Sequence, residues 1–467
     1  MGGAMNYPVW DVPFLGAGMV VAIIAIIHVL ISHFAIGGGA LLFVAELWSD
    51  RQPDGERIRE WLHKYATFFL VYTTVFGAMT GVGIWFSIQL ASPEGTSLLI
   101  HQFVFAWAIE WVLFLVELTL LYLYYYGWRK NSRRLQVALA GLYFVIAWGS
   151  LFVINGILTF MLTPGGWTIE NRDMAAGFFN PGYLPSLLIR TLVMFLVAGL
   201  GGLLVAARLE EEGGLKERIV VFCSRWVLPA ALLLPGLSYW YWKTLPSNTA
   251  RLMAAGATGL GGGRLEVMTL FAVAAGVAGT LLVLGSLLYQ VRPRALGVAG
   301  AMALFVVAQI GFLGGEFARE LARKPYVIYD TLYSNSLWKH KAAEAGYRQQ
   351  PYLSLTRWDP DVVPLTPQHG EWAFRLQCAS CHTRSGYRGI IPRTESWTPL
   401  SGFKWLETMD QQGVPPPFVG TAEDRAAISS YIQSLHGKNV GAAEILAEAQ
   451  ADGRRRSDGG ETREVMP

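Results

Sequence analysis

A long apolar run near the N-terminus decides the fold class: residues 15–48 read LGAGMVVAIIAIIHVLISHFAIGGGALLFVAELW. A bilayer core about 30 Å thick is crossed by about 20 apolar residues in an α-helix, so this run predicts a membrane span. Seven further runs meet the same criterion, at about 65–91, 99–128, 136–162, 183–207, 219–242, 266–290 and 296–320. Because lipid leaves an open backbone without hydrogen-bond partners, all of them are predicted to be helical. The sequence therefore predicts an all-α bundle of eight spans.

Composition divides the chain near residue 320. Of its 467 residues, 53% are hydrophobic and only 15% are charged, whereas about 25% is usual in soluble domains. The apolar runs all precede residue 320, and the remainder is polar and rich in Pro. The net charge of +3 is small, and no basic patch interleaved with aromatic residues indicates a nucleic-acid partner.

The distribution of Lys and Arg predicts the orientation of the bundle. The connections after spans 1, 3, 5 and 7 hold fourteen basic residues, and those after spans 2, 4 and 6 hold four. The positive-inside rule therefore places the first set in the cytoplasm and both termini outside. The first fifteen residues contain no Lys or Arg, so the first run is interpreted as a retained span and not as a cleavable signal peptide.

The polar C-terminal part contains Cys378-Ala-Ser-Cys381-His382, which is the attachment sequence for a covalent c-type haem. The two thiols add to the vinyl groups of one haem, and the histidine reaches its iron from the same side. A redox Cys-x-x-Cys motif would need a βαβ context, and a zinc site would need two more ligands. Cys223 lies in an apolar run and is interpreted as an inert buried thiol.

The surrounding sequence is similar to a small all-α c-type cytochrome domain over residues 370–437. A linker over 326–369 would join it to a membrane domain over 1–325, and residues 438–467 are predicted to be a disordered tail. The stretch that usually supplies the second iron ligand has no Met here. Met409 is the first candidate, followed by His436 and His369, and an iron without a second protein ligand is the remaining alternative.

Several ionisable residues fall within the spans, where each is costly unless it is paired or hydrated and is therefore a functional candidate. Span 1 has His28 and His33, which are five positions apart and face different directions on a helix. Two pairs share a helix face: Glu110 and Glu117 in span 3, and Glu316 and Glu320 in span 8. Haem ligation with proton delivery and cation binding by a transporter are both compatible with this pattern.

The spans resemble subunit I of the cytochrome bd oxygen reductases in three stretches. Those stretches are Ala25-Ile-Ile-His28-Val-Leu in span 1, Ala108-Ile-Glu110 through Glu117 to Gly127-Trp128 in span 3, and Glu320-Leu-Ala-Arg323-Lys-Pro-Tyr after span 8. They occur in the family's order and in matching spans. The resemblance extends over about residues 15–330, with one residue fewer between the two glutamates of span 3.

The resemblance implies cofactors and residue roles. A high-spin haem b, and a haem d or a second haem b, would lie in the bundle, with His28, Glu110 and Glu320 at or near the irons. Glu117 would lie on the cytoplasmic proton route, and Arg323 would bind a haem propionate. Glu316, one helical turn from Glu320, is the alternative ligand.

The sequence also departs from the family. The histidine that holds the family's low-spin haem on span 5 is replaced by Arg190, and its methionine partner is matched weakly by Met268. The connection that binds quinol in the family is shortened to about residues 243–264. The family's ninth span is replaced by the c-type segment. These departures predict that electrons arrive from a cytochrome c and not from quinol.

The leading hypothesis is a catalytic subunit of a bd-like terminal oxidase in the bacterial inner membrane, with the c-type domain on the periplasmic side. Its expected partners are a second membrane subunit, a cytochrome c donor, O₂ and lipid. Rival hypotheses are a non-catalytic electron-transfer subunit, a reductase of NO or another small oxidant, and an ion transporter with a sensor domain. His63 and His101, at span ends, are interpreted as structural, whereas His33 is an additional candidate haem ligand.

Overall fold

Eight long helices dominate the computed structural model, which describes residues 10–210, 214–247, 249, 264–356, 361–412 and 416–459. Each is long and apolar enough to cross a membrane. They are α1 (Ala17–Ser49), α2 (Gly55–Ala91), α3 (Val104–Tyr126), α4 (Arg133–Phe160), α5 (Tyr183–Ala206), α6 (Leu215–Thr244), α7 (Arg264–Val291) and α8 (Val298–Arg323). The prediction of an all-α bundle with eight spans is confirmed.

Two predicted spans begin elsewhere in the structure. The second helix begins at Gly55, ten residues earlier than predicted, because its first turns are amphipathic: Ile58 and Trp61 are buried while Arg57 and Lys64 are exposed. The third span begins at Val104, since the chain breaks at Phe103 after a separate short helix, Pro93–Gln102. Averaged hydropathy detects neither boundary.

A run of three glycines in α1 sets the centre of the bundle. A Cβ atom on Gly37 would lie 2.0 Å from the Met194 carbonyl oxygen of α5. A Cβ on Gly38 or Gly39 would lie within 2.3 Å of an aromatic ring on α2 or α4, respectively. Only glycine allows helices to approach this closely, so α1 packs directly on three neighbours.

The segment between the bundle and the C-terminal domain is folded. Strands β1 (Tyr326–Ile328) and β2 (Leu332–Tyr333) form an antiparallel hairpin, and Tyr329 N–H donates to the Met161 carbonyl at the end of α4 (2.9 Å). Helices Lys339–Ala343 and Ala345–Arg348 follow. Residues 326–369 were predicted as a linker; over its described residues this segment forms a packed layer between the two domains.

The C-terminal domain is built on three described helices: α9 (Pro367–Gln377), α10 (Pro399–Glu407) and α11 (Ala422–Leu435). Thr421 and Asp424 form a capping box at the start of α11. A Cβ on Gly370 would lie 2.1 Å from the Ala427 carbonyl oxygen, so α9 and α11 cross in close contact. This crossing fixes the end of α9, where the Cys-x-x-Cys-His segment begins.

The prediction of a disordered tail over 438–467 is wrong for residues 442–459. These residues form a further helix, α12 (Ala442–Gly459), and Lys404 of α10 forms an ion pair with Asp452. Ala442 and Ile445 are buried, and Leu446 and Ala449 pack beside them. These four positions follow helical spacing, so the apolar stripe was present in the sequence but was outweighed by the charged residues after it.

Replacing Ile445 with Ala is expected to destabilise the C-terminal domain. Ile445 is fully buried, and loss of a buried Ile side chain costs about 2–5 kcal/mol. We expect the thermal midpoint of this domain to fall by on the order of 10 °C, measured by differential scanning calorimetry. Glu448→Ala changes an exposed position of the same helix and should leave the midpoint unchanged; equal midpoints for both variants would exclude a structural role for α12.

Candidate functional site

The Cys-x-x-Cys-His segment forms one tight turn at the end of α9. The N–H groups of Cys381 and His382 both donate to the Cys378 carbonyl at 3.0 Å, which brings the two thiols and the imidazole together. His382 Nδ1 lies 2.9 Å from the Arg388 carbonyl. Because a carbonyl only accepts, the proton is on Nδ1 and the lone pair of Nε2 is directed away from the backbone. Burial and nearby Arg388 lower the pKa of His382 to about 4, so the ring is neutral at pH 7.

The thiols do not have the properties of a redox pair or of a zinc site. Burial, with a contribution from Cys381, raises the pKa of the Cys378 thiol to about 12, whereas a redox-active thiol has a lowered pKa. Within the described ranges, no cluster of three His, Cys, Asp or Glu residues is suitable for a metal ion. The turn is compatible with the predicted attachment of a haem through both thiols, with His382 as the iron ligand.

The three candidates for the second ligand are separated by their surroundings. Met409 is buried in the apolar cluster that also contacts Cys378. His369 bonds through both ring nitrogens, accepting from Leu365 N–H (3.1 Å) and lying 2.8 Å from Asp424 Oδ1. The Nε2 atom of His436 bonds the Thr394 hydroxyl at 2.9 Å. Both histidines already have polar partners, so Met409 stays the first candidate for the second ligand.

A cleft connects this segment to the membrane bundle. It has a volume of about 560 Å³, part of it open to solvent, and its lining includes Cys381, Arg388, Gly18, Glu320 and Lys324. Cys381 therefore lies in the same cleft as the beginning of α1 and the end of α8. A haem attached at Cys381 would therefore be bonded to a residue that lines this cleft.

The residues before α1 hold the C-terminal domain in this position. Tyr387 N–H donates to the Phe14 carbonyl at 2.8 Å. A Cβ atom on Gly386 would lie 1.9 Å from the same carbonyl oxygen, so the approach requires glycine. The two domains are thus joined by direct backbone contact as well as by the chain between them.

Within the bundle, α1 presents His28 to α2. His28 Nδ1 lies 3.0 Å from the Thr80 hydroxyl, which itself donates to the Phe76 carbonyl at 2.7 Å. Thr80 must therefore accept from His28, which leaves Nε2 of the imidazole with a lone pair. A π-helical turn, Tyr72–Gly77, lies beside this contact, and such turns occur frequently at functional sites.

Glu110 and Glu117 of α3 share one partner on α4. The Ser150 hydroxyl donates to Glu110 Oε1 at 3.3 Å, and Ser150 also lies close to Glu117. One hydroxyl thus lies near both carboxylates. The opposite face of α3 is open, with Trp111 and Val112 more than half exposed, so lipid or another membrane subunit would cover it.

At the end of α8, Glu320 is paired with the residue that was predicted to bind a propionate. Arg323 Nη2 lies 2.5 and 2.7 Å from the two Glu320 oxygens, and Lys324 Nζ lies 3.5 Å away. Arg323 also donates to the Val327 carbonyl at 2.6 Å. Glu320 would be released to an iron when another carboxylate, such as a propionate, took its place on Arg323.

Glu316 lies in a different buried group from Glu320. Its two oxygens meet Arg190 Nη2 of α5 at 3.5 Å and Arg319 Nε at 3.0 Å. Both oxygens of Glu316 and both oxygens of Glu320 contact guanidinium groups, so the two glutamates stay alternatives as the iron ligand. Arg190, which was predicted to replace the haem-binding histidine of the family on α5, is therefore part of an ion-pair network. The side chain of Met268, the weak match for the methionine partner, lies outside the described residues.

The remaining span histidines differ in surroundings. The ring of His63 stacks on Tyr125 and Trp128, with centroids 5.1 and 4.6 Å away. His101 is exposed and lies 2.7 Å from the Ser97 carbonyl. Both arrangements are consistent with the structural interpretation. His33, by contrast, is 1% exposed and lies deep between α1 and α8.

Sequence reasoning missed Glu46 near the C-terminal end of α1. Its carboxylate is fully buried, accepts from the Tyr124 hydroxyl at 2.7 Å and pairs with Arg133 of α4. Arg133 Nε also reaches Asp50 at 2.8 Å. The signal was one acidic residue near the end of an apolar run, together with a basic residue at the start of a later span.

Comparison with known proteins agrees with this geometry. Residues 17–217, which extend from α1 into the beginning of α6, match the family model for cytochrome bd terminal oxidase subunit I. This part of the chain is therefore a cytochrome bd terminal oxidase subunit I domain. The solved bd oxidase from Geobacillus thermodenitrificans is 14% identical, with a TM-score of 0.57 over 67% of this chain and 88% of that chain, and it has the same fold. No curated protein matches the chain.

The two matches confirm the predicted family and enzyme class. Cytochrome bd oxidases are haem-containing terminal oxidoreductases of bacterial membranes that work with a second membrane subunit and react with O₂. The chain is accordingly a multi-pass membrane oxidoreductase with a haem-binding bundle. The c-type segment, α7 and α8 lie outside the residues that the family model matches. Their roles therefore depend on their own geometry.

Proposed function

We propose that the chain is the catalytic haem subunit of a terminal oxidase that receives electrons through a covalent haem at Cys378, Cys381 and His382. The donor is a cytochrome c on the periplasmic side, and O₂ is reduced at haems buried in the bundle. The observation that carries this proposal is the cleft in which Cys381 and Glu320 both lie. It connects the attachment segment directly with the outer ends of α1 and α8.

The residues of the C-terminal domain fit a c-type haem. Cys378 and Cys381 would provide the thioether bonds, and His382 Nε2 the iron ligand, held in orientation by the Arg388 carbonyl. The apolar cluster around Met409 would enclose the other face. A haem bound there supplies one-electron transfer, and the protein determines its position and accessibility.

The bundle residues fit non-covalent haems. His28 presents an Nε2 lone pair because its Nδ1 atom is bonded to Thr80. Glu110 and Glu320 are carboxylates within the haem-binding bundle, and Arg323 is a guanidinium suited to a propionate. These four residues lie on α1, α3 and α8, the helices in which the resemblance to the family is concentrated.

Glu117, Ser150 and Glu110 fit a proton path from the cytoplasm. Ser150 donates to Glu110 and lies close to Glu117, so its hydroxyl is placed to pass a proton between the two carboxylates. Reduction of O₂ to water consumes protons, whereas a subunit that only relays electrons has no need of a proton path. This arrangement therefore favours catalysis over the relay hypothesis.

The proposal is tested by oxygen uptake of the purified complex with reduced cytochrome c as the donor. We expect turnover with cytochrome c, no turnover with a short-chain quinol, and a CO-binding haem signal from the bundle. A complex whose haems all fail to bind CO, and which takes up no oxygen, would instead be an electron relay.

Met409→Ala is expected to remove the second ligand of the covalent haem. We expect the haem to become high-spin and CO-binding, with a lower midpoint potential, as absorption spectra and redox titration would show. Leu406→Ala is the matched control, since Leu406 is a buried neighbour in the same cluster without a sulfur ligand. Identical spectra for the two variants would reject Met409 as the ligand.

Gly386→Ala is expected to slow electron transfer from the covalent haem into the bundle. The added Cβ cannot fit 1.9 Å from the Phe14 carbonyl, so the domain must move away from α1. We expect a decrease of about tenfold or more, measured by stopped flow, with the covalent haem spectrum unchanged. Gly441→Ala, which meets nothing within 4 Å, is the control. An unchanged rate in the Gly386 variant would indicate a domain that transfers electrons without this docking.

A further inference from the structure

His33 is a buried histidine with one satisfied ring nitrogen. Its Nδ1 atom lies 2.5 Å from the Val29 carbonyl one turn earlier in α1. Its Nε2 atom is buried and has no hydrogen-bond partner among the described residues. The side chain is 1% exposed, and its ring lies edge-on to Phe312 of α8 with the centroids 5.2 Å apart.

The bond to Val29 fixes which nitrogen has the lone pair. A carbonyl only accepts, so the proton of the neutral ring is on Nδ1 and Nε2 presents an unshared pair to the interior. Leaving such an acceptor buried without a partner costs about 1–3 kcal/mol. His382 in the attachment segment is held in the same way, by a backbone carbonyl at Nδ1. This is the arrangement by which proteins orient a histidine toward a metal.

The groups around His33 carry surplus positive charge. Arg190 and Glu316 both lie close enough to act on its ring electrostatically. Glu316 bonds Arg190 and Arg319, and Arg319 in turn lies near Glu320, which is held by Arg323. These are three guanidinium groups against two carboxylates. In a low-dielectric bundle, an unbalanced cation favours binding of an anion.

We propose that His33 Nε2 is an axial ligand of a non-covalent b-type haem, with one propionate of that haem on Arg190. The iron of a haem needs a ligand with a lone pair, and its propionate carboxylate needs a positively charged partner. The imidazole on α1 and the guanidinium on α5 provide these two groups together. This haem is separate from the one at His28, since five residues on a helix turn the two imidazoles about 140° apart. The inference rests on the proposed function only in placing haems in the bundle.

The test is the count of non-covalent haems in the complete complex, measured as pyridine haemochromes. We expect His33→Ala and His33→Gln each to lose one b-type haem per chain while the covalent haem and the second subunit are retained. His101→Ala is the control, because His101 makes the same bond to a carbonyl four residues earlier but is exposed. We expect imidazole added to His33→Gly to restore the missing haem spectrum.

Three results would decide against the inference or its basis. An unchanged haem count and spectrum in His33→Gln would overturn it, as would loss of the same haem in the His101 control. A wild-type complex without any non-covalent haem would overturn the proposed function itself. If His33→Ala does not assemble, His33→Gln and the imidazole rescue decide the question. Arg190→Gln is expected to keep this haem and lower its midpoint potential, since a positive charge beside a propionate favours the reduced state.

Discussion

A chain in which Cys378 and Cys381 are both replaced by Ala is expected to contain no covalent haem and to lose oxygen uptake with reduced cytochrome c. In the proposed function the two sulfurs are the attachment points, and the cleft lined by Cys381 and Glu320 would be the route into the bundle. We expect activity to fall by at least about two orders of magnitude, because the cofactor performs the electron transfer. Haem staining of the denatured chain and an oxygen electrode measure the two effects.

The remaining cysteine provides the control for this experiment. Cys223 is fully buried in α6, packed against Gly202 of α5. Its conversion to Ala should leave the covalent haem in place and most of the activity intact. The non-covalent haems should also remain in the double variant, since none of their candidate ligands is changed. Full activity in the double variant would show that electrons reach the bundle by another route.

Glu117→Gln is the second change with a large expected effect. The amide keeps the shape and hydrogen-bonding capacity of the side chain but cannot release a proton to Ser150. General acid–base groups contribute about 10²–10⁴-fold to turnover, so we expect oxygen reduction to fall about 100-fold or more. Haem content and the reduced spectrum should be unchanged, which separates proton delivery from haem binding.

Two companion variants sharpen the test. Ser150→Ala removes the hydroxyl that lies near both Glu110 and Glu117. We expect a smaller decrease in oxygen reduction than for Glu117→Gln, because a water molecule substitutes for a hydroxyl more readily than for a carboxylate. Glu60→Gln changes an exposed carboxylate that pairs with Arg129 at the cytoplasmic end and should have no effect. Normal turnover in Glu117→Gln would exclude this residue from the proton path.

The sequence was sufficient for the fold because each span is defined locally. Twenty apolar residues in succession cross a bilayer whatever their neighbours, so α1 to α8 could be predicted one at a time. The errors occurred where this signal ends. The first turns of α2 are amphipathic, and Ala442, Ile445, Leu446 and Ala449 form an apolar stripe among charged residues. Both segments bury one helix face, which only the periodicity reveals.

The candidate site residues could be selected from the sequence, but the contacts between them could not. Cys378, Cys381 and His382 were evident because the motif is contiguous. The pairing of Glu320 with Arg323, and the packing of His33 near Arg190 and Glu316, depend on side-chain directions or on helices far apart in sequence. The docking of Phe14 against Gly386 joins opposite ends of the chain and has no local signal. Contacts of this kind require the three-dimensional structure.

Haem extraction from the purified complex tests the central claim most directly. Acidified acetone removes non-covalent porphyrins and leaves thioether-bonded haem on the chain, so the two populations are counted separately. The account predicts one haem that stays on the chain and at least two that are extracted, one of them CO-binding before extraction. A complex that yields no extractable iron porphyrin, with only the haem at Cys378 and Cys381, would contradict it.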